Sequence, residues 1–354
     1  MKVGVLGAGA VGTMLGGRLA ASGVDVVLVG RGGDAFRERG LTISDHVGRV
    51  EHLPPSGLVY AAVPDALADR DVVLVTVKRS ATESAVRSLA DVVGPKTVLV
   101  PFQNGVGTAE DVRKGFPAAR VLRGMIPFNV VLSGPERVHQ ATRGALAIER
   151  PHAASSGDGT AKRRVESELR AVTDGLASAF RSAGLPVKTP RDIEAIQWSK
   201  LVLNLNNAVN ALAGVPLVVE LSDRTFRRVL AAAMDEAIAA TSRAGIRLAW
   251  ISGIHPHLVP TILRSPDAVF RFVARSMLAI DADARSSMLD DLDKRRLTEI
   301  DYLAGEVVSL GARTGVPTPV NASLVRLVHE AEAKASGSPR MTSDELVSAA
   351  LVRT

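Results

Sequence analysis

The chain has no cysteine, so a disulfide framework, a thiolate metal ligand and a cysteine nucleophile are all excluded. Aromatic residues make up only 3% of it, which leaves no base-stacking platform for single-stranded nucleic acid. No run reaches the roughly 18 uninterrupted apolar residues of a membrane-spanning helix. The most apolar helical segment, Leu201 to Val219, is interrupted by four asparagines. Strand-like sequence starts at residue 3, with no room before it for a signal or transit peptide, and this predicts a cytoplasmic protein. The seven histidines are dispersed, and His255-Pro-His257 has no carboxylate or cysteine at ligand spacing, so no metal site is expected. A G-x-S-x-G nucleophile elbow is also missing.

What is present suits a globular protein of two domains: 354 residues, 46% hydrophobic and 23% charged. The net charge of +6 comes from basic residues interleaved with acids, as in Arg37-Glu-Arg39. Such a mildly basic surface favours small anionic ligands; neither a nucleic-acid nor a membrane partner is expected.

The sharpest motif is Gly7-x-Gly9-x-x-Gly12. An apolar strand, Val3 to Leu6, precedes it, and an amphipathic run through Val11, Leu15 and Leu19 follows. Gly7 allows the tight turn, Gly9 lets the backbone approach a pyrophosphate, and Gly12 lets helix and strand pack closely. Val24 to Val29 then completes a βαβ unit. Further strands are expected at Val72–Val77, Thr97–Pro101 and Arg120–Arg123. Two later β-like tracts, Phe128–Leu132 and Gly144–Glu149, are expected as antiparallel strands on one edge of the same sheet. Residues 151–160 read as a polar loop, Val165–Ser182 as a helix and Val187–Pro190 as a last strand. Beyond Pro190 strand signals cease and helical periodicity takes over. The chain is therefore read as α/β, with an N-terminal Rossmann-type parallel-sheet domain over residues 1–190 that binds a dinucleotide. An all-α domain over residues 191–354 follows, carrying substrate and catalysis.

Four places offer chemistry. The second strand ends in Arg31 with no acid at its tip, which favours a 2′-phosphate over a free ribose hydroxyl. Lys78 follows the strand at Val72–Val77 and adds a second cation at the same sheet edge. Asn104, in Gln103-Asn-Gly105, offers an amide at the carboxyl end of the next strand. Around Lys200, an otherwise apolar helix places Lys200, Asn204 and Asn207 within a stripe about 60° wide. A lysine in apolar surroundings loses part of its preference for the charged form and becomes a usable proton donor. Arg285 to Tyr302 reads as one long helix, which would put Ser287 and Glu299 about 18 Å apart along its axis.

Taken in order, these pieces resemble the ketopantoate reductase family. They are the glycine motif, Arg31, Val75-Thr-Val-Lys78, Gln103-Asn-Gly105, Trp198-Ser-Lys200-Leu-x-x-Asn204, Ser286-Ser-Met288 and Thr298-Glu-Ile-Asp301. The resemblance implies reduction of 2-dehydropantoate to pantoate by NADPH, within pantothenate and coenzyme A synthesis. It implies that Lys200 protonates the developing alkoxide and that Glu299 contacts the substrate hydroxyl. It further implies that Gly7, Gly9, Gly12, Arg31, Lys78 and Asn104 meet NADPH, and that Asn104, Asn204 and Ser287 meet the substrate; Asn207, on the same polar stripe, is expected to join them. Two positions depart from the pattern, Ala208 and Ala284, where the family commonly has asparagine. Asn207 or Asn210 would replace the first. The departures keep open a different 2-keto acid or related carbonyl as substrate, and a non-catalytic NADPH-binding sensor as a third reading. The apolar helical domain also suits a homodimer.

Overall fold

The computed structural model describes residues 1–31, 33–117, 120–134, 136–151, 159–251, 253–273 and 283–351. Most of the loop read at 151–160 therefore lies outside the described residues. The chain divides into two compact units, Met1–Ile193 and Glu194–Thr354.

The first unit is organised by a five-stranded parallel sheet in the order β5-β2-β1-β6-β7. Its strands are β1 (Lys2–Leu6), β2 (Asp25–Val29), β5 (Val59–Ala61), β6 (Val72–Val75) and β7 (Val98–Pro101). Apolar runs such as Val72-Val-Leu-Val75 bury both faces of the strand, as a helix-covered parallel sheet requires. Val3, Val5, Leu28 and Leu74 face a core shared with Leu15 and Leu19 of the helix Ala10–Ala21 and with Phe180 of the helix Gly159–Ser182. The alternate residues Val27, Val73 and Leu99 face a second core with Leu67, Leu89 and Val112. Helices on both faces and this strand order give the doubly wound Rossmann-type half expected from the glycine motif.

The later β tracts do not join this sheet. Phe128–Leu132 contributes β9 (Val130–Leu132), which pairs antiparallel with β10 (Arg137–Gln140). β10 runs parallel to β3 (Leu41–Asp45), which pairs antiparallel with β4 (Val50–Leu53). Gly144–Glu149 contributes β11 (Leu146–Ile148), set between β8 (Gly124–Met125) and β12 (Val187–Lys188) in a third sheet. The expected single edge is thus replaced by two separate small sheets. The strand expected at Arg120–Arg123 reduces to one bridge, Val121 beside Leu99. Its arginines instead pair with carboxylates, Arg120 with Glu168 and Arg123 with Glu110.

The second unit is helical among the described residues, apart from one isolated bridge at Ile251 and Ile254. The 20-residue helix Arg224–Arg243 packs against Val259–Arg264, Ala304–Thr314, Pro319–Lys334 and Ser343–Ala350. Two charged groups pin it, Arg227 buried and Glu236 half-buried. Arg227, fully buried, donates to the carbonyls of Leu263, Leu221 and Ser265, pairs with Asp267 at 2.7 Å and stacks on Phe270. Glu236 accepts from the Val320 and Asn321 amides at 2.8 and 2.9 Å, capping the helix Pro319–Lys334 at its start. No helix is long and apolar enough to cross a membrane among the described residues.

Candidate active site

In a parallel sheet the loops after the strands share one edge, and here they gather the first group of expected residues. Gly7 follows β1, Arg31 follows β2, Lys78 follows β6 and Asn104 follows β7. Gly7 sits at φ +116°, where a Cβ would stand 2.6 Å from the Val77 nitrogen, so the turn needs glycine there. A Cβ on Gly12 would fall 1.9 Å from the Gly7 oxygen. Gly9 differs: a Cβ there meets no protein atom within 4 Å, so nothing inside the protein demands glycine at that place. It is the N-cap of the helix Ala10–Ala21, with no side-chain cap and no acid in the first turn. The amides at that helix start remain available to an anion, and a bare backbone at Gly9 lets one come close.

Arg31 is exposed, and among the described residues its guanidinium makes no hydrogen bond or ion pair. Its backbone oxygen accepts from the Tyr60 hydroxyl at 2.8 Å, while the Tyr60 ring stacks on Phe36. Gly33 fits only because it lacks a side chain, since a Cβ would lie 2.1 Å from the Tyr60 ring. Asp34, the nearest acid, is engaged by Arg37. This edge therefore presents a guanidinium, an exposed lysine and uncapped helix amides, a donor set that fits phosphate. Tyr60 escaped the sequence reading because β5 is only three residues long. Gln103 supports the edge: its amide donates to the Val77 oxygen and Thr82 Oγ1, at 2.8 and 2.7 Å, joining the ends of β6 and β7.

In the second unit Lys200 lies on the helix Ile193–Asn204, whose wall is fixed by buried Trp198 and by Ser199, which accepts from the Ala249 amide at 2.8 Å. The expected single helix through Asn207 is two, Ile193–Asn204 and Asn206–Ala213, with Leu205 as the joint. Leu205 keeps helical angles and donates back to Leu201 at 3.1 Å, so the axis steps without breaking the chain's course. Lys200 keeps part of its surface accessible, but dense surroundings lower its pKa to about 8, the Glu299 carboxylate pulling the other way.

The long helix expected over 285–302 is not formed. Its helical part is Ser287–Asp293; Arg295 then takes φ 54°, and a short 3-10 turn at Ile300–Tyr302 follows Glu299. The axial separation of Ser287 and Glu299 along one rod accordingly falls away. The Glu299 loop is held instead by the helix Pro319–Lys334. Glu332 accepts from the Thr298 amide at 2.7 Å, and His329 bridges Asp301 and Glu332. Ser287 is exposed, one residue beyond buried Ser286, whose hydroxyl reaches the Asn207 oxygen at 3.4 Å. The fold thus brings Asn207 beside the Ser286–Ser287 segment, and Glu299 into the field of Lys200. Asn204 and Asn207 are both partly buried. Asn210 is committed elsewhere: fully buried, it bonds the Val215 oxygen, Glu220 and the Ser286 amide.

Comparison with known proteins finds relatives along most of the chain. The family model described as ketopantoate reductase PanE/ApbA matches residues 3–152, and its C-terminal counterpart matches residues 192–332. A 2-dehydropantoate 2-reductase of Halobacterium salinarum is 30% identical over 336 residues, covering 94% of this chain and 99% of the relative. The crystal structure of a PanE/ApbA family ketopantoate reductase from Ralstonia eutropha superposes with a TM-score of 0.76 at 28% identity, covering 95% of this chain and 99% of that one. A D-mandelate dehydrogenase solved with NADH and anilino(oxo)acetate shares the fold at 22% identity and TM-score 0.75, covering 95% of this chain and 99% of that one. The chain is an oxidoreductase and belongs to the ketopantoate reductase family.

Proposed function

We propose that this protein reduces a 2-keto acid to the 2-hydroxy acid with NADPH, and that 2-dehydropantoate is its substrate. The single observation that carries the reading is Lys200, an ammonium whose pKa burial brings down to about 8, with Glu299 as its counter-charge. When bound, NADPH supplies the hydride. A ketone that accepts hydride gathers negative charge on oxygen, and Lys200 is the group here suited to stabilise that charge and release a proton to it. Glu299 keeps the ammonium protonated at neutral pH and accepts from the substrate hydroxyl. Ser287, Asn204 and Asn207 hold the keto acid, Ser287 taking the carboxylate, while Asn104 positions cofactor and substrate. Gly7, Gly9 and Gly12 shape the turn for the pyrophosphate, and Arg31 with Lys78 takes the 2′-phosphate. On this reading the first unit carries NADPH and the second carries the keto acid and the proton donor.

A second reading, the same chemistry on another 2-keto acid, is favoured by one observation. Asn210 spends its amide on the protein's own groups, so it does not replace the asparagine absent at Ala208. A pocket with one amide fewer discriminates less well between substrates differing by a hydroxyl.

Steady-state rates with 2-dehydropantoate, 2-ketoisovalerate, 2-ketoisocaproate and phenylglyoxylate, each with NADPH and NADH, separate the two. We expect 2-dehydropantoate with NADPH to lead; another keto acid in front would establish the second reading, and no turnover with any would leave a binding protein. In the same assay Arg31→Ala should weaken NADPH by about 10-fold or more and leave NADH within about two-fold. Equal losses with both cofactors would remove Arg31 from the phosphate.

A further inference from the structure

Glu220 is a carboxyl that the reaction above does not use. It lies on the helix Leu217–Ser222, is 1% exposed, and burial pushes its pKa up to about 8. Among the described residues no lysine or arginine pairs with it. Burying an acid without a cation is costly, and a substituent of that kind persists where its hydrogen bonds do something specific.

Those bonds form a chain. Glu220 Oε2 accepts from Asn210 Nδ2 at 2.9 Å, and Asn210 Oδ1 accepts from the Ser286 amide at 3.0 Å. The Ser286 hydroxyl accepts from the Leu289 amide at 3.1 Å, capping the helix that begins at Ser287. At the other end of Glu220's own helix, the Leu217 amide donates to the Ala284 oxygen at 2.9 Å. Ala284 and Ser286 are thus both tied to the helix that carries Glu220, one through Leu217 and the other through Asn210. Glu220 Oε1 has no hydrogen-bond partner among the described residues, and the Asn206 and Asn210 amides beside the carboxyl oppose the upward push of burial.

We propose that Glu220 is a positioning residue: through Asn210 it fixes the Ser286–Ser287 segment so that the Ser287 hydroxyl meets the carboxylate of the keto acid. The inference rests on the substrate role given to Ser287 above.

The test combines kinetics on the full chain with backbone hydrogen exchange over residues 284–292. Glu220→Ala should raise the KM for the keto acid about 10-fold or more, with NADPH KM within about two-fold, and should speed exchange at 284–292 but not in the helix 319–334. Glu220→Gln keeps an acceptor for Asn210, and should restore the keto-acid KM to within about two-fold. Asn210→Ala, which leaves Glu220 in place, should repeat the Glu220→Ala pattern and serves where that variant does not fold. Ser287→Ala should raise the same KM. An unchanged keto-acid KM in both Glu220→Ala and Asn210→Ala beside a raised one in Ser287→Ala overturns the positioning role. So does a loss shared equally with NADPH KM. A silent Ser287→Ala with loosened exchange in Glu220→Ala keeps the wiring and refutes the role of Ser287. Should no keto acid be turned over, the exchange result alone decides, and unaltered protection at 284–292 overturns the proposal.

Discussion

Lys200→Ala lowers turnover of the keto acid about 10²-fold or more and leaves NADPH binding within about two-fold. The split follows from where the residue sits. Lys200 belongs to the helical unit, on Ile193–Asn204, whereas the glycine turn, Arg31 and Lys78 belong to the sheet unit. Removing the ammonium takes away the donor and the charge that stabilises the alkoxide, and both act in the transition state rather than on the bound cofactor. Turnover is read from NADPH absorbance at saturating keto acid, and affinity from quenching on NADPH titration. Turnover within about three-fold of the parent would take Lys200 out of the reaction.

Gly12→Ala should abolish useful NADPH binding and cost about 2–3 kcal/mol of stability. Its Cβ would stand 1.9 Å from the Gly7 oxygen and 2.4 Å from Thr76 Oγ1. Neither group can yield cheaply, because Thr76 Oγ1 donates to that same Gly7 oxygen at 2.8 Å and so locks β6 to the turn. Gly9→Ala is the contrast. Its Cβ meets nothing in the protein, so stability should stay within about 0.5 kcal/mol while NADPH binding weakens. Thermal melts and NADPH titrations of the two variants check both statements. Equal stabilities would show that the Gly12 contact relaxes, and undiminished NADPH affinity in Gly9→Ala would remove the pyrophosphate from that face.

Legibility from sequence varied with how local the determining interactions are. β1, β2, β6 and β7 were readable because a strand buried on both faces is an unbroken apolar run. β3 was not: it pairs locally with β4, but both strands are short and half-polar and leave little periodicity, and its other partner β10 lies far along the chain, with Thr42 opposite Arg137. In the site, the polar stripe of Lys200, Asn204 and Asn207 stood out against its apolar helix, but the joint at Leu205 did not, because leucine is an ordinary helix former. The break after Asp293 was hidden for a similar reason: Arg295 adopts a positive φ that no glycine or asparagine announces. Glu220 did leave a signal, an acid inside Pro216-Leu-Val-Val-Glu220-Leu, yet its partners Asn210 and Ser286 are joined to it only by the fold.

The central claim is that the Lys200 ammonium gives its proton to the carbonyl oxygen. Only the protonated amine can do so, and burial lowers its pKa to about 8 against the opposing pull of Glu299. The pH dependence of kcat/KM for the keto acid, measured with the parent enzyme from about pH 6 to 10, reads this directly. The expected rate is level on the acid side and falls about tenfold per pH unit above about 8, with that limb missing from the residual activity of Lys200→Ala. A rate that stays level or climbs across the same range contradicts it.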